Sequence, residues 1–80
     1  MDQSTILEKV ASIIERNLDF KKNEVTLETD FESDLGADSL DVMNIVIEIE
    51  GELDISLRDE DVSKINNVGD LVELIEKKFQ

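Results

Sequence analysis

Asp38-Ser39-Leu40-Asp41-Val42-Met43-Asn44-Ile45-Val46-Ile47-Glu48-Ile49-Glu50-Gly51 is the stretch on which the fold turns. Leu40, Val42, Met43, Val46, Ile47 and Ile49 form a broad apolar arc at about 100° per residue, the period of an α-helix. Asp38 has the short acceptor side chain of an N-cap, and Asp41 follows three residues later, where a capping box carries its acid. Gly51 is placed to end the helix as its C-cap. A central helix from Asp38 to about Gly51 is therefore expected.

Upstream, Ile6, Leu7, Val10, Ala11, Ile13, Ile14 and Leu18 share one helical arc, while Glu8, Lys9, Ser12, Glu15, Arg16 and Asp19 fall opposite. This predicts a helix over 3–18, with Thr5 and Glu8 at capping-box spacing and Asp2 or Ser4 as other starts. From Asp19 to Ala37 the periodicity is lost, and Val25, Leu27, Phe31 and Leu35 anchor a long polar loop, with Phe31 as its plug. Downstream, Leu53, Ile55 and Leu57 lead into a short acidic turn or helix at Asp59 to Lys64, with Val62 and Ile65 facing inward. Asn66 or Asn67 can cap a last helix whose inner face is Val68, Leu71, Val72, Leu74, Ile75 and Phe79. Lys77 and Lys78 suit that helix's C-terminal dipole and receive no function. The expected fold is all-α, a four-helix bundle of three longer helices and one short one, with the long loop between the first two. Its 80 residues are expected to form a single domain.

Composition narrows the chemistry. The chain holds 21 acidic and 8 basic residues, a formal net charge of −13, which argues against nucleic acid and anionic membranes as partners. It has no cysteine and no histidine, so thiolate nucleophiles, disulfides, imidazole catalysis and conventional zinc sites are outside its reach. No apolar run is long enough to insert into a membrane and the start shows no secretory pattern, so a cytoplasmic protein is expected.

The acidity is regional. Residues 23–57 contain 11 of the 21 acidic side chains and none of the basic ones. On a helical projection Asp41, Asn44, Glu48 and Glu52 form a polar stripe with no countercharge within it. Glu48 and Glu52 repel at i,i+4 by about 0.2–0.5 kcal/mol, and carboxylates near a helix C-terminus oppose its dipole. Stability alone would not choose this pattern; a docking surface for basic partners explains it better than generic solubility, the other reading open to it.

Ser39 follows the cap residue Asp38, and two readings are open for it. It is either the cap itself or, with Asp38 capping, an exposed hydroxyl at the tip of the loop. Self-activated nucleophilic catalysis is disfavoured by the missing histidine and by Asp38 and Asp41, which oppose negative charge developing nearby. The chain is therefore not expected to be an enzyme; modification of Ser39 by another protein suits its position.

Phe31 and the run Asp34-Leu35-Gly36-Ala37-Asp38-Ser39-Leu40-Asp41 resemble the modification-site motif of bacterial acyl carrier proteins. A weaker likeness extends along nearly the whole chain, to Val68-Gly69-Asp70-Leu71-Val72. The resemblance implies that Ser39 takes a covalent 4′-phosphopantetheine from coenzyme A, transferred by a separate holo-carrier synthase. It implies a non-catalytic carrier whose acyl thioesters are presented to fatty-acid synthesis enzymes and acyltransferases with basic docking patches. The implied docking residues are Asp38, Asp41 and Glu48 for charge, with Leu40 and Met43 as apolar contacts that could equally be core. Val46, Ile55, Ile65 and Leu71 are implied to line a cavity for the acyl chain. A monomer is implied. Asn44, Glu48, Gly51 and Leu53 depart from common family residues, which leaves room for a dedicated carrier of a polyketide, peptide or other acyl-transfer pathway.

Two other classes compete. Asp30, Glu32, Asp34 and Gly36 suggest a calcium loop, but the glycine falls one place late and Asp41 stands where an EF-hand has Glu. Only weak, non-specific divalent-cation binding is expected. An acidic decoy for a basic surface would need no cofactor and would tolerate Ser39→Ala, which a carrier would not.

Overall fold

A computed structural model describes all 80 residues. Its helices are α1 (Gln3–Leu18), α2 (Ser39–Leu53), α3 (Asp59–Val62) and α4 (Val68–Lys78), with one 3-10 turn at Lys22–Glu24. There are no strands beyond a single bridge between Asp30 and Asn67. Asp2 starts α1, its carboxylate accepting the Thr5 N–H at 2.9 Å. Asn67 starts α4 through a capping box with Asp70.

α1 packs against both α2 and α4. It contributes Ile6, Val10, Ala11, Ile13 and Ile14 to one core, where Ile45, Val46 and Ile49 of α2 meet Val68, Leu71, Val72 and Ile75 of α4. Val62 closes the core from α3, and Val25, Phe31 and Ala37 close it from the long loop. Phe31, 3% exposed, is the expected plug. The molecule measures 29 × 24 × 20 Å.

Four local expectations need correction. α2 does not stop at Gly51: it continues to Leu53 and ends on Asp54, in the left-handed region at φ 55°. Leu53 and Ile55 pack against the core across that turn, which draws the helix past the glycine. Ile47 is 56% exposed, and the buried isoleucine of that turn is Ile45. α3 is a single turn ending at Val62, short of Lys64. Phe79 lies beyond the end of α4 and is 42% exposed, outside the inner face.

Candidate functional site

The segment that delivers the chain to α2 is braced from within. The Asp30 carboxylate accepts from the Ser33 N–H at 2.8 Å, the Ser33 hydroxyl at 3.0 Å and the Glu32 N–H at 3.1 Å. These bonds, from Ser33 above all, hold Asp30 below the usual carboxylate value, since they favour its charged form. Asp34 returns the contact by accepting the Asp30 N–H at 2.8 Å. Gly36 then turns the chain at φ 63°, a left-handed conformation that needs no Cβ, and the Ala37 N–H closes onto the Phe31 carbonyl at 2.8 Å.

This braced loop is also fastened to the start of α4. The Phe31 N–H donates to Asn66 O at 3.0 Å, Val68 N–H to Thr29 O at 2.8 Å, and Gly69 N–H to Leu27 O at 2.8 Å. Buried Thr29 contributes its hydroxyl to the Thr26 N–H at 2.9 Å. The residue that opens α2 is thus held from both sequence neighbours and the far end of the chain.

That residue is Ser39. Asp38 is the cap: its carboxylate accepts the Asp41 N–H at 2.9 Å, while Asp41 accepts the Asp38 N–H at 3.1 Å. The reciprocal box settles the two readings of Ser39, whose side chain is exposed and makes no hydrogen bond within the protein. A cleft of about 350 Å³ lies beside it, bordered by Phe31, Ala37, Val42, Ile65 and Asn66 along with Asp38 and Ser39 themselves. An anion on Ser39 Oγ would meet the positive end of the α2 dipole, offset by Asp38 and Asp41. A phosphodiester with a flexible arm fits this site, because the hydroxyl is free and its surroundings are open.

The expected docking residues separate into groups. Leu40 is 72% and Met43 40% exposed, so neither is core; with Ile47, which periodicity had placed on the inner arc, they make an apolar strip running away from Ser39. Asp38 and Asp41 remain at the surface as caps. The stripe from Asp41 to Glu52, however, does have a countercharge, from α1. Glu48 accepts the Asn17 amide at 2.7 Å and lies 3.8 Å from Arg16, and Glu52 lies 3.9 Å from Arg16 and 3.7 Å from Lys9. Glu50 accepts the Leu57 N–H at 2.8 Å. A projection of α2 alone could not reveal these contacts, because they depend on how α1 crosses it.

Of the proposed cavity residues, Val46 and Leu71 are 2% and 0% exposed in the packed core, and Ile55 and Ile65 are half-buried against it. Only Ile65 of these borders the cleft beside Ser39. The Asp30, Glu32, Asp34 and Gly36 loop turns two carboxylates, Asp30 and Asp34, onto its own backbone.

The family model described as "Phosphopantetheine attachment site" matches residues 8–75. Among solved structures, the chain is similar to a Mycobacterium tuberculosis protein described as an acyl carrier protein, with a TM-score of 0.85, 30% identity, and coverage of 92% of this chain and 99% of that one. It is similar also to the acyl carrier protein of Enterococcus faecalis, with a TM-score of 0.78, 39% identity, and coverage of 96% and 98%.

Proposed function

The chain belongs to the phosphopantetheine-attachment family of acyl carrier proteins, and from that premise we propose that Ser39 is its attachment residue and that it serves type II fatty-acid synthesis. The observation that carries this reading is the free Ser39 hydroxyl at the first position of α2, released from capping by the Asp38–Asp41 box. The covalent 4′-phosphopantetheine supplies the thiol that a chain without cysteine lacks, and holds acyl groups as thioesters.

The protein's own residues do the rest. No base lies within hydrogen-bond reach of Ser39, so the proton on Oγ is removed by a group of the holo-carrier synthase, as the hydroxyl displaces 3′,5′-ADP from coenzyme A. The carrier itself catalyses nothing. Asp38 and Asp41 set negative charge beside the hydroxyl, and Leu40 and Met43 offer apolar contact to partners with basic patches. Charge steering of this kind speeds encounter and orientation without tight binding, which suits a carrier that must dock repeatedly and leave. No helix is long and apolar enough to cross a membrane. In this reading residues 1–80 act as one carrier domain, a cytoplasmic monomer that binds divalent cations only weakly.

A dedicated carrier for a polyketide, peptide or other acyl-transfer pathway would use the same attachment chemistry, and the engagement of Glu48 by α1 favours a narrower set of partners. Intact-mass measurement of the protein from its source cells, with fragmentation, tests both levels. An added phosphopantetheine located on Ser39 supports attachment there, and the acyl mass on its thiol distinguishes fatty-acid from dedicated cargo. Ser39→Ala is expected to abolish loading by coenzyme A and a competent transferase while leaving the helical circular dichroism intact. Loading of the alanine variant would sink the assignment.

A further inference from the structure

Two asparagines stand side by side before α4, and the side chain of only one is used within the protein. Asn67 caps the helix, its side chain accepting the Asp70 N–H at 2.8 Å. Asn66 is held by its backbone alone: its carbonyl accepts the Phe31 N–H at 3.0 Å, and its N–H donates to the Asp70 carboxylate at 2.9 Å. Its side-chain amide is exposed, bonds nothing in the protein and borders the cleft beside Ser39. Hydrogen-bond donors are scarce in that cleft. Of the loop N–H groups on its border, Asp30 donates to Asp34, Glu32 to Asp30, and Ala37 to the Phe31 carbonyl. On the helical side, Asp38 donates to Asp41, Val42 to the Asp38 carbonyl, and Ile65 to the Val62 carbonyl. The carboxylates of Asp30, Glu32 and Asp38 only accept when ionised. What remains is the Ser39 hydroxyl, the Ser39 N–H, orphaned as the first of α2, and the NH2 of Asn66.

We infer that Asn66 is the residue that holds the arm attached to Ser39, its side-chain NH2 donating to an amide carbonyl of the pantetheine. Attachment uses up the Ser39 hydroxyl, and the Ser39 N–H faces the phosphodiester end, where the helix dipole favours negative charge. The amide carbonyls further along the arm are then left with one side-chain donor in the cleft, that of Asn66. Its amide is neutral and two-sided, so it donates to a carbonyl and can accept an N–H from the same arm, which the surrounding carboxylates cannot match. Val42 and Ile65 border the same space and supply apolar surface for the arm's methyl groups. The two backbone bonds of Asn66 fix where its side chain is offered, which lowers the cost of ordering the arm against it. One bond of ordinary net strength favours the held arm by about two- to tenfold, so the arm remains free to leave the cleft for a partner enzyme. The inference deepens the attachment reading and rests on it.

The test uses the full chain, nitrogen-labelled, before and after loading by coenzyme A and a competent transferase, with the added mass on Ser39 verified first. On loading, the side-chain NH2 resonances of Asn66 are expected to shift and to show nuclear Overhauser contacts to the arm. Those of Asn44, also exposed and placed on α2 away from the cleft, should stay where they are. With coenzyme A carbon-labelled in its amide carbonyls, one carbonyl signal should move from its position in free pantetheine. In Asn66→Ala and Asn66→Asp that signal should return toward the free position, and the shifts that loading induces at Val42 and Ile65 should fall by about twofold or more; Asn44→Ala should keep both. Unloaded Asn66→Ala should melt with the wild type, because the side chain bonds nothing in the protein, and the wild-type spectra decide the matter even if a variant does not fold. The inference is overturned if Asn66 is silent on loading, if Asn44 responds as strongly, or if Asn66→Ala leaves the carbonyl signal at its wild-type position. A chain that gains no mass overturns the attachment reading and this inference together, whereas a loaded chain with a silent Asn66 overturns this inference alone.

Discussion

Gly69 opens α4 where its first turn rides on the loop, and a Cβ built there would stand 2.9 Å from the Leu27 carbonyl oxygen. The obstacle is backbone, tied by the Gly69 N–H bond to the same oxygen, so it cannot swing aside as a side chain would. Gly69→Ala is expected to destabilise the fold by about 1–3 kcal/mol, the usual range for overpacking, as read from chemical denaturation. The result that would contradict the close approach is an alanine variant as stable as the wild type. Gly51, by contrast, has open space around it and an ordinary helical backbone. The two glycines look alike in sequence, and only the tertiary contact distinguishes them.

At the scale of elements, α2 shows which features local sequence carries. The Asp38–Asp41 box is legible because both partners lie within one turn, and the exposure of Ser39 follows from it. The inward face of α2 is less legible: apolar side chains occupy most of its circumference, so periodicity exchanged exposed Ile47 for buried Ile45 and left Leu40 and Met43 undecided. α1 and most of α4 alternate more cleanly, and their buried faces are the expected ones, with Phe79 falling outside only because the helix ends before it. The contacts of Glu48 and Glu52 with α1 were invisible for another reason, namely that they need the crossing of two helices. Asp38→Ala should cost about 0.5–2 kcal/mol of stability through loss of the cap. The variant should also slow phosphopantetheine transfer to Ser39, because the first turn of α2 then frays. Unchanged melting in that variant would mean that the box does not hold the helix start.

For the molecule as a whole, a formal charge of −13 on a body 29 Å in its longest dimension means that folding works against its own repulsion. Added salt or Mg²⁺ should raise the melting temperature; melting curves indifferent to ionic strength would refute this. Acid works against the fold, because Asp2, held by hydrogen bonds from Thr5, and Asp30, held by those from Ser33, lie below the usual value of 3.8. A carboxylate with a lowered folded pKa contributes its full stability above the unfolded value and loses it as the pH falls through the folded one. The stability contributed by Asp2 and Asp30 should therefore be present at neutral pH and fall away below about pH 4, which thermal melts across that range would show. The seam between the loop and the start of α4 has a consequence in time. Leu27 and Thr29 must wait for Gly69 and Val68, and Phe31 for Asn66, so a nascent chain still on the ribosome holds Ser39 on an unfastened loop until its last helix has emerged. A transferase that requires the fastened loop would thus load this unit only once α4 has docked, making the attached group a mark of a folded domain.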